Sequence, residues 1–211
     1  MSIEMPKRAL STISMPIVAS HFENNNYTEI NKLYKQSSIN QGIIAFLLFA
    51  LVFINLSLIF KIIPKGEVYL IGKNVALLIG ISKVMDMFMG INAEILRVSK
   101  LYYLDLYLIL LFVVVTVTSN YFLIPIFNLT GAALATLISV VFYNLIRFAI
   151  LKIKYNFNPF SIESLKLLVL FLGIISLKYV IPEYSGNSKI IQFSILTIIS
   201  GIISSIYIFV C

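Results

Sequence analysis

Lys83 and Asp86 stand three positions apart inside an otherwise apolar run, Leu70–Gly90. At that spacing the two side chains share one face of a helix. Ionisable groups at membrane depth are costly, and they face a bundle interior or a water-filled cavity. Two readings follow. In one, the pair lines a polar cavity, where Lys83 attracts an anionic headgroup and Asp86 tunes it or carries a proton. In the other, the two charges neutralise each other and hold two helices together. Lys73, nearer the end of the same run, snorkels to the interface. Lys7 and Arg8 open an apolar stretch, Ala9–Ala19, that is too short to span by itself. They are either part of the same anion-attracting surface or the ordinary basic flank of a helix.

Other chemistry is poorly provided for. His21 is the only histidine and Cys211 the only cysteine. A zinc site or an internal disulfide therefore lacks its ligands, and no metal or cofactor is expected. The chain has no HExxH, no GxxxxGK[ST] and no GxGxxG, and one histidine completes no Ser/His/Asp set elsewhere. No acidic pair lies near a membrane face to serve a glycosyltransferase. The expectation is a protein that is not an enzyme and has no catalytic residues.

The elements that must position Lys83 and Asp86 are membrane helices. Of the 211 residues, 60% are apolar and 12% charged. A soluble domain of this size has no interior large enough for that much apolar surface. A span takes about 20 apolar residues. Candidate spans are Gln41–Phe60, Leu70–Gly90, Tyr103–Ile124, Gly131–Leu151, Leu165–Ile181 and Ile190–Val210. The fold class expected is an all-α membrane protein of about six transmembrane helices plus a partial amino-terminal helix. Residues 1–20 read as the end of a longer helix, and 41–211 as the six-helix body. Residues 21–40 between them form the longest polar stretch, either an interfacial amphipathic helix or a solvated loop. Both ends of the chain look cut.

The net charge of +7 comes from basic residues scattered singly. That arrangement excludes a nucleic-acid stripe and instead sets topology and touches lipid heads. Lys32, Lys35, Arg97, Lys100, Arg147, Lys152, Lys154 and Lys166 gather on one side, against Lys61, Lys65, Lys178 and Lys189 on the other. The richer side is expected in the cytoplasm, with the Cys211 end. Gly131 and Ala135, four apart, favour close helix packing. With the preceding span they make a helical hairpin around Pro125–Thr130.

Three stretches carry a family resemblance: Lys7–Ala19 followed by the polar segment Tyr27–Ser37; Leu77–Asp86 with Gly90-Ile-Asn92; and Leu123-Ile-Pro-Ile-Phe-Asn-Leu-Thr-Gly-Ala-Ala-Leu-Ala-Thr136. In these the chain resembles the carboxy-terminal half of polysaccharide flippases of the multidrug/oligosaccharidyl-lipid/polysaccharide superfamily. The third stretch is similar to the family's Ile-Pro-x-(Phe/Tyr)-Gly-x-x-Gly-Ala-Ala-x-Ala-Thr hairpin, with Asn128 in place of the first glycine. Asparagine tolerates the left-handed backbone such a turn requires. The resemblance implies one lobe of a two-lobe, alternating-access transporter in a bacterial inner membrane. Its substrate would be a lipid-linked sugar, and its partner a missing amino-terminal lobe or a second copy. Lys83, Asp86, Lys7 and Arg8 would line the cavity. A multidrug/cation antiporter lobe of the same superfamily and a membrane polymerase or ligase of the polysaccharide pathway are the alternatives. The first would call for buried carboxylates and the second for a long outer loop, and the loops here are short.

Overall fold

The computed structural model describes residues 5–62, 72–169 and 171. Among them every regular element is a helix: α1 (Met5–Glu23), α2 (Tyr27–Ile62), α3 (Lys73–Phe88), α4 (Asn92–Val98), α5 (Tyr102–Tyr155) and α6 (162–169). Two of these helices are long and apolar enough to cross a membrane, and a third crossing results if α3 and α4 form one bent span. The span expected at Ile190–Val210 and most of that at Leu165–Ile181 lie outside the described residues, as do Lys65, Lys178, Lys189 and Cys211.

Asparagines shape the turns. Asn25, Asn128 and Asn156 are the non-glycine residues with positive φ among those described. The side-chain amide makes the left-handed helical conformation accessible at Asn156 (φ 57°, ψ 28°), whereas Asn128 (φ 51°, ψ −129°) lies outside it, in a region that favours glycine. Asn25 (φ 53°) reverses the chain between α1 and α2, and Asn156 (φ 57°) ends α5. α2 then starts at Tyr27 and runs without a break through residues 40 and 41. The polar stretch is therefore neither a loop nor a separate interfacial helix. Its Ile30, Tyr34, Ser37 and Ser38 are buried in the bundle, because they recur on one face at helical spacing.

α3 ends sooner than the apolar run indicates. Gly90 takes φ +59°, and the chain bends by 49° into the short α4. The reason lies on α2. A β-carbon on Gly90 would stand 2.7 Å from Ser37 Oγ and 2.9 Å from Ser38 N, so only glycine fits where α2 passes the break. The backbone groups freed there find partners on the same two serines. Ser38 Oγ donates to Phe88 O (2.5 Å), and Ile91 N donates to Ser37 Oγ (3.3 Å). A broken helix at membrane depth is tolerated when protein groups satisfy its backbone in this way.

α5 is two helices in antiparallel contact. Asn128 (φ 51°, ψ −129°) interrupts it, and the partners on its two arms pair off in reverse order. Asp105 meets Arg147, the rings of Phe112 and Tyr143 lie 5.1 Å apart, and Gly131 lies against the backbone of Leu123. Pro125 does not end the first arm, as the sequence had indicated; the helix continues to the Asn128 corner. A β-carbon at Gly131 would collide with the Leu123 carbonyl, which keeps the two arms close. Each arm is roughly 40 Å at 1.5 Å per residue, longer than the ~30 Å hydrocarbon core. The outer face of the first arm, with Leu106, Leu110, Val113, Val114, Val117 and Tyr121, is exposed and apolar, as a lipid-facing surface must be.

The turn at Asn24–Asn26, the bend at Ser99–Leu101 and the segment Asn156–Phe160 come together at one end of the bundle. Tyr27 stacks with Tyr155 at 5.9 Å, and Asn158 N donates to Asn31 Oδ1 (2.8 Å). This end carries Lys32, Lys35, Lys100, Lys152 and Lys154, and it is closed by a core of Val18, Ile30, Tyr34, Ile95, Leu151 and Phe157. A second core, built from Phe46, Phe49, Val84, Met87 and Phe88, holds α2 to α3.

Candidate functional site

The face of α3 that carries Asp86 is turned toward α1 and the second arm of α5. Lys7 reaches it from α1: its Nζ lies 2.6 Å from Asp86 Oδ2 and 3.2 Å from the Asp86 carbonyl oxygen. Asp86 is near the end of α3, where carbonyls lose their intrahelical partners. Lys7 thus answers both the carboxylate and the negative end of the helix. Asn144 on α5 donates to Asp86 Oδ1 (3.1 Å) and accepts from Asn92 Nδ2 (2.9 Å), linking α3, α4 and α5. The two ionic side chains are part-exposed, 18% for Lys7 and 27% for Asp86.

Asn144 stands roughly 16 Å along the helix from the Tyr155 end, near the middle of the second arm of α5. Of the expected cavity residues, Lys7 and Asp86 are in direct contact. Lys83 is half-buried one turn earlier on α3. Asp86 is therefore bound first to another helix rather than to its neighbour on α3. Arg8 is exposed beside Lys7. Gly131 and Ala135 sit on the second arm of α5, where Ala135 is fully buried.

Further polar groups lie on the same faces. Ser11, one turn after Lys7 on α1, donates to Glu94 Oε1 (2.5 Å). Glu94 is 4% exposed, and its Oε2 finds no hydrogen-bond partner among the described residues. The same holds for Asn92 Oδ1, both amide atoms of Gln41 and the Tyr34 hydroxyl. Buried polar groups are nearly always paired, so this set marks the interior between α1, α2 and α4 as polar. Sequence reasoning missed Glu94, Asn92, Asn144 and Gln41. Glu94 had a readable signal, a carboxylate directly after the Gly90 break.

A second ionic cluster also went unread. Asp105 accepts from Arg97 Nε (3.0 Å), from Arg147 Nε (3.1 Å) and from a terminal nitrogen of Arg147. Arg147 also lies over the Tyr143 ring, 3.9 Å from its centroid, and donates to the Tyr143 hydroxyl. Arg147 had been counted among the basic residues that set topology. Instead it is buried (5% side-chain exposure), and its charge is taken up by Asp105 across the hairpin. The two positions fall near the starts and ends of apolar spans, which is why they read as flanks.

At the basic end, Thr28, Asn31, Lys32, Lys35, Gln36 and Ser161 border a shallow surface hollow. Glu163 on its rim is held below the usual carboxylate range, chiefly by a hydrogen bond from the Ser161 hydroxyl. Among the described residues no group of His, Cys, Asp and Glu is placed to hold a metal ion. The chain matches no protein-family model, no curated protein and no solved structure in the comparisons made.

Proposed function

We propose that this chain is the carboxy-terminal lobe of a flippase. It would carry a polyprenyl-pyrophosphate-linked oligosaccharide across the bacterial inner membrane for polysaccharide export. The observation that carries this reading is the cluster of Lys7, Asp86 and Asn144, with Lys83 a turn earlier on the same helix as Asp86, where three helices meet. Charge kept among apolar helices marks a polar path. Lys7 and Lys83 are the cations that would meet a pyrophosphate there. The break between α3 and α4 supports it further, since transporters build substrate sites from interrupted helices. The reading takes six spans, the Cys211 end in the cytoplasm, and either an amino-terminal lobe or a second copy to close the cavity. No bond is made or broken, and the work lies in alternating exposure of the site.

The test is Lys83→Ala in the complete protein. Polysaccharide export is abolished while protein abundance in the membrane stays unchanged. Normal export by that variant would remove Lys83 from the path.

A cation antiporter lobe is the second reading, and Glu94 is the observation that favours it. It is a buried carboxylate with one unpartnered oxygen beside a helix break. Drug efflux that depends on Glu94, with export indifferent to Lys83, would decide for it.

A further inference from the structure

We infer that the elbow between α4 and α5 seats the phosphodiester headgroup of an anionic phospholipid, held by Arg97 and Lys100, with its acyl chains on the apolar outer face of the first arm of α5. The site lies apart from the Lys7–Asp86 cluster and does not depend on what the chain carries.

Ser99 builds the elbow. Its N–H donates to Ile95 O (3.1 Å), its hydroxyl accepts from Leu101 N (3.1 Å), and its carbonyl accepts from Tyr102 N (3.2 Å). The chain therefore passes from α4 into α5 within three residues. Arg97 and Lys100 flank this turn, three positions apart, and both are exposed.

Arg97 is not consumed by the carboxylates around it. Arg147 takes up Asp105 from the buried side. The Arg97 guanidinium has five N–H donors, and among the described residues its Nε alone is hydrogen-bonded, to Asp105 Oδ2 at 3.0 Å. Its side chain is 43% exposed against 6% for Asp105, so the remaining donors lie on the outer side. Glu94, one turn back on α4, accepts from Ser11 on α1, and its second oxygen makes no hydrogen bond to Arg97. Both carboxylates are buried while Arg97 and Lys100 are at the surface, so the elbow presents positive charge outward. A guanidinium fork with an ammonium beside it fits phosphate oxygens.

Past the elbow the surface changes in the order in which a phospholipid does. Tyr102, Tyr103 and Tyr107 are exposed next to it, where amphipathic rings sit at headgroup level. Leu106, Leu110 and Val113 continue the exposed stripe in purely apolar form. A zwitterionic headgroup would bring its own ammonium to the same two cations, whereas an anionic one gains from both. Bound there, the phosphate shares Arg97 with Asp105 and ties α4 to the hairpin.

The chain has no tryptophan, so Tyr103→Trp reports the lipid at the elbow. Tyr121→Trp, exposed on the same arm near the Asn128 corner, reports the opposite end. The full chain is reconstituted in phosphatidylcholine bilayers, and quenching by dibrominated phosphatidylglycerol is compared with quenching by dibrominated phosphatidylcholine. At Tyr103→Trp the anionic lipid is preferred by at least about fivefold, and at Tyr121→Trp the two lipids quench alike. Adding Arg97→Gln and Lys100→Gln lowers the preference at Tyr103→Trp below about twofold, with quenching by phosphatidylcholine unchanged. Absence of a preference at Tyr103→Trp overturns the inference, and that arm needs neither charge variant to fold. A preference that survives both glutamines, or that is equal at Tyr121→Trp, overturns it as well, since either is the general attraction of a basic chain.

Discussion

Replacing Asp105 by asparagine removes the one charge that holds two guanidinium groups, and the structure sets how much that costs. Asp105 and Arg147 are 6% and 5% exposed, so solvent screens their attraction little. Arg97 is 43% exposed and contributes far less, as half-solvated pairs do. The dominant loss is therefore the Asp105–Arg147 pair, in which two guanidinium nitrogens share Oδ1, and breaking a buried pair from one side typically costs about 3–5 kcal/mol. Asparagine keeps the shape and one acceptor oxygen, which places the expected loss near about 3 kcal/mol. The double variant Asp105→Leu with Arg147→Met separates pair strength from charge burial. It leaves no buried charge at the hairpin, gives up the Arg147–Tyr143 contact, and is expected within about 1–2 kcal/mol of wild type. The assay is reversible unfolding of the purified chain in mixed micelles by titration with denaturing detergent, for wild type, both single variants and the double. Asp105→Asn falling within about 0.5 kcal/mol of wild type would refute the reasoning. So would a double variant as unstable as the sum of its parts, since contacting partners must couple.

Two further outcomes follow from the hairpin. Asn128 holds φ 51° and ψ −129°, the first corner of a type II′ turn, where glycine is at ease and asparagine is not. Asn128→Gly is expected to stabilise the chain by about 1 kcal/mol in the same titration, the low end of the cost of a sparsely populated backbone state; a loss of stability contradicts the turn geometry. The second concerns orientation. With Cys211 replaced by serine, single cysteines at Asn24 and Lys154 react with a membrane-impermeant maleimide from one side of sealed vesicles, and one at Phe127 reacts from the other. Labelling of all three from the same side would mean that the arms of α5 do not cross.

Composition and apolar run length were enough to read helices long and apolar enough to cross a membrane, because surface-to-volume limits and the bilayer thickness act on the sequence before any contact forms. The Pro125–Thr130 hairpin was legible for a similar reason: a connection that short between two long apolar runs allows only antiparallel neighbours. Lys83 and Asp86 stood out as charges within an apolar run. Their partners did not, since sequence spacing reports neighbours along one helix and nothing about the helix packed against it. Only the tertiary structure decided that Asp86 pairs with Lys7, 79 positions away, and that Asn144 completes the contact from α5. It also decided that Arg147 is buried against Asp105 rather than marking a basic loop. The polar segment after His21 is the same lesson in backbone form. Its composition permits a loop, and only burial of Ile30, Tyr34 and Ser38 against the α3–α4 break makes it the first half of a continuous helix. Local composition sets what a segment tolerates, whereas the free energy of burying one face against a particular neighbour selects which of the tolerated forms persists.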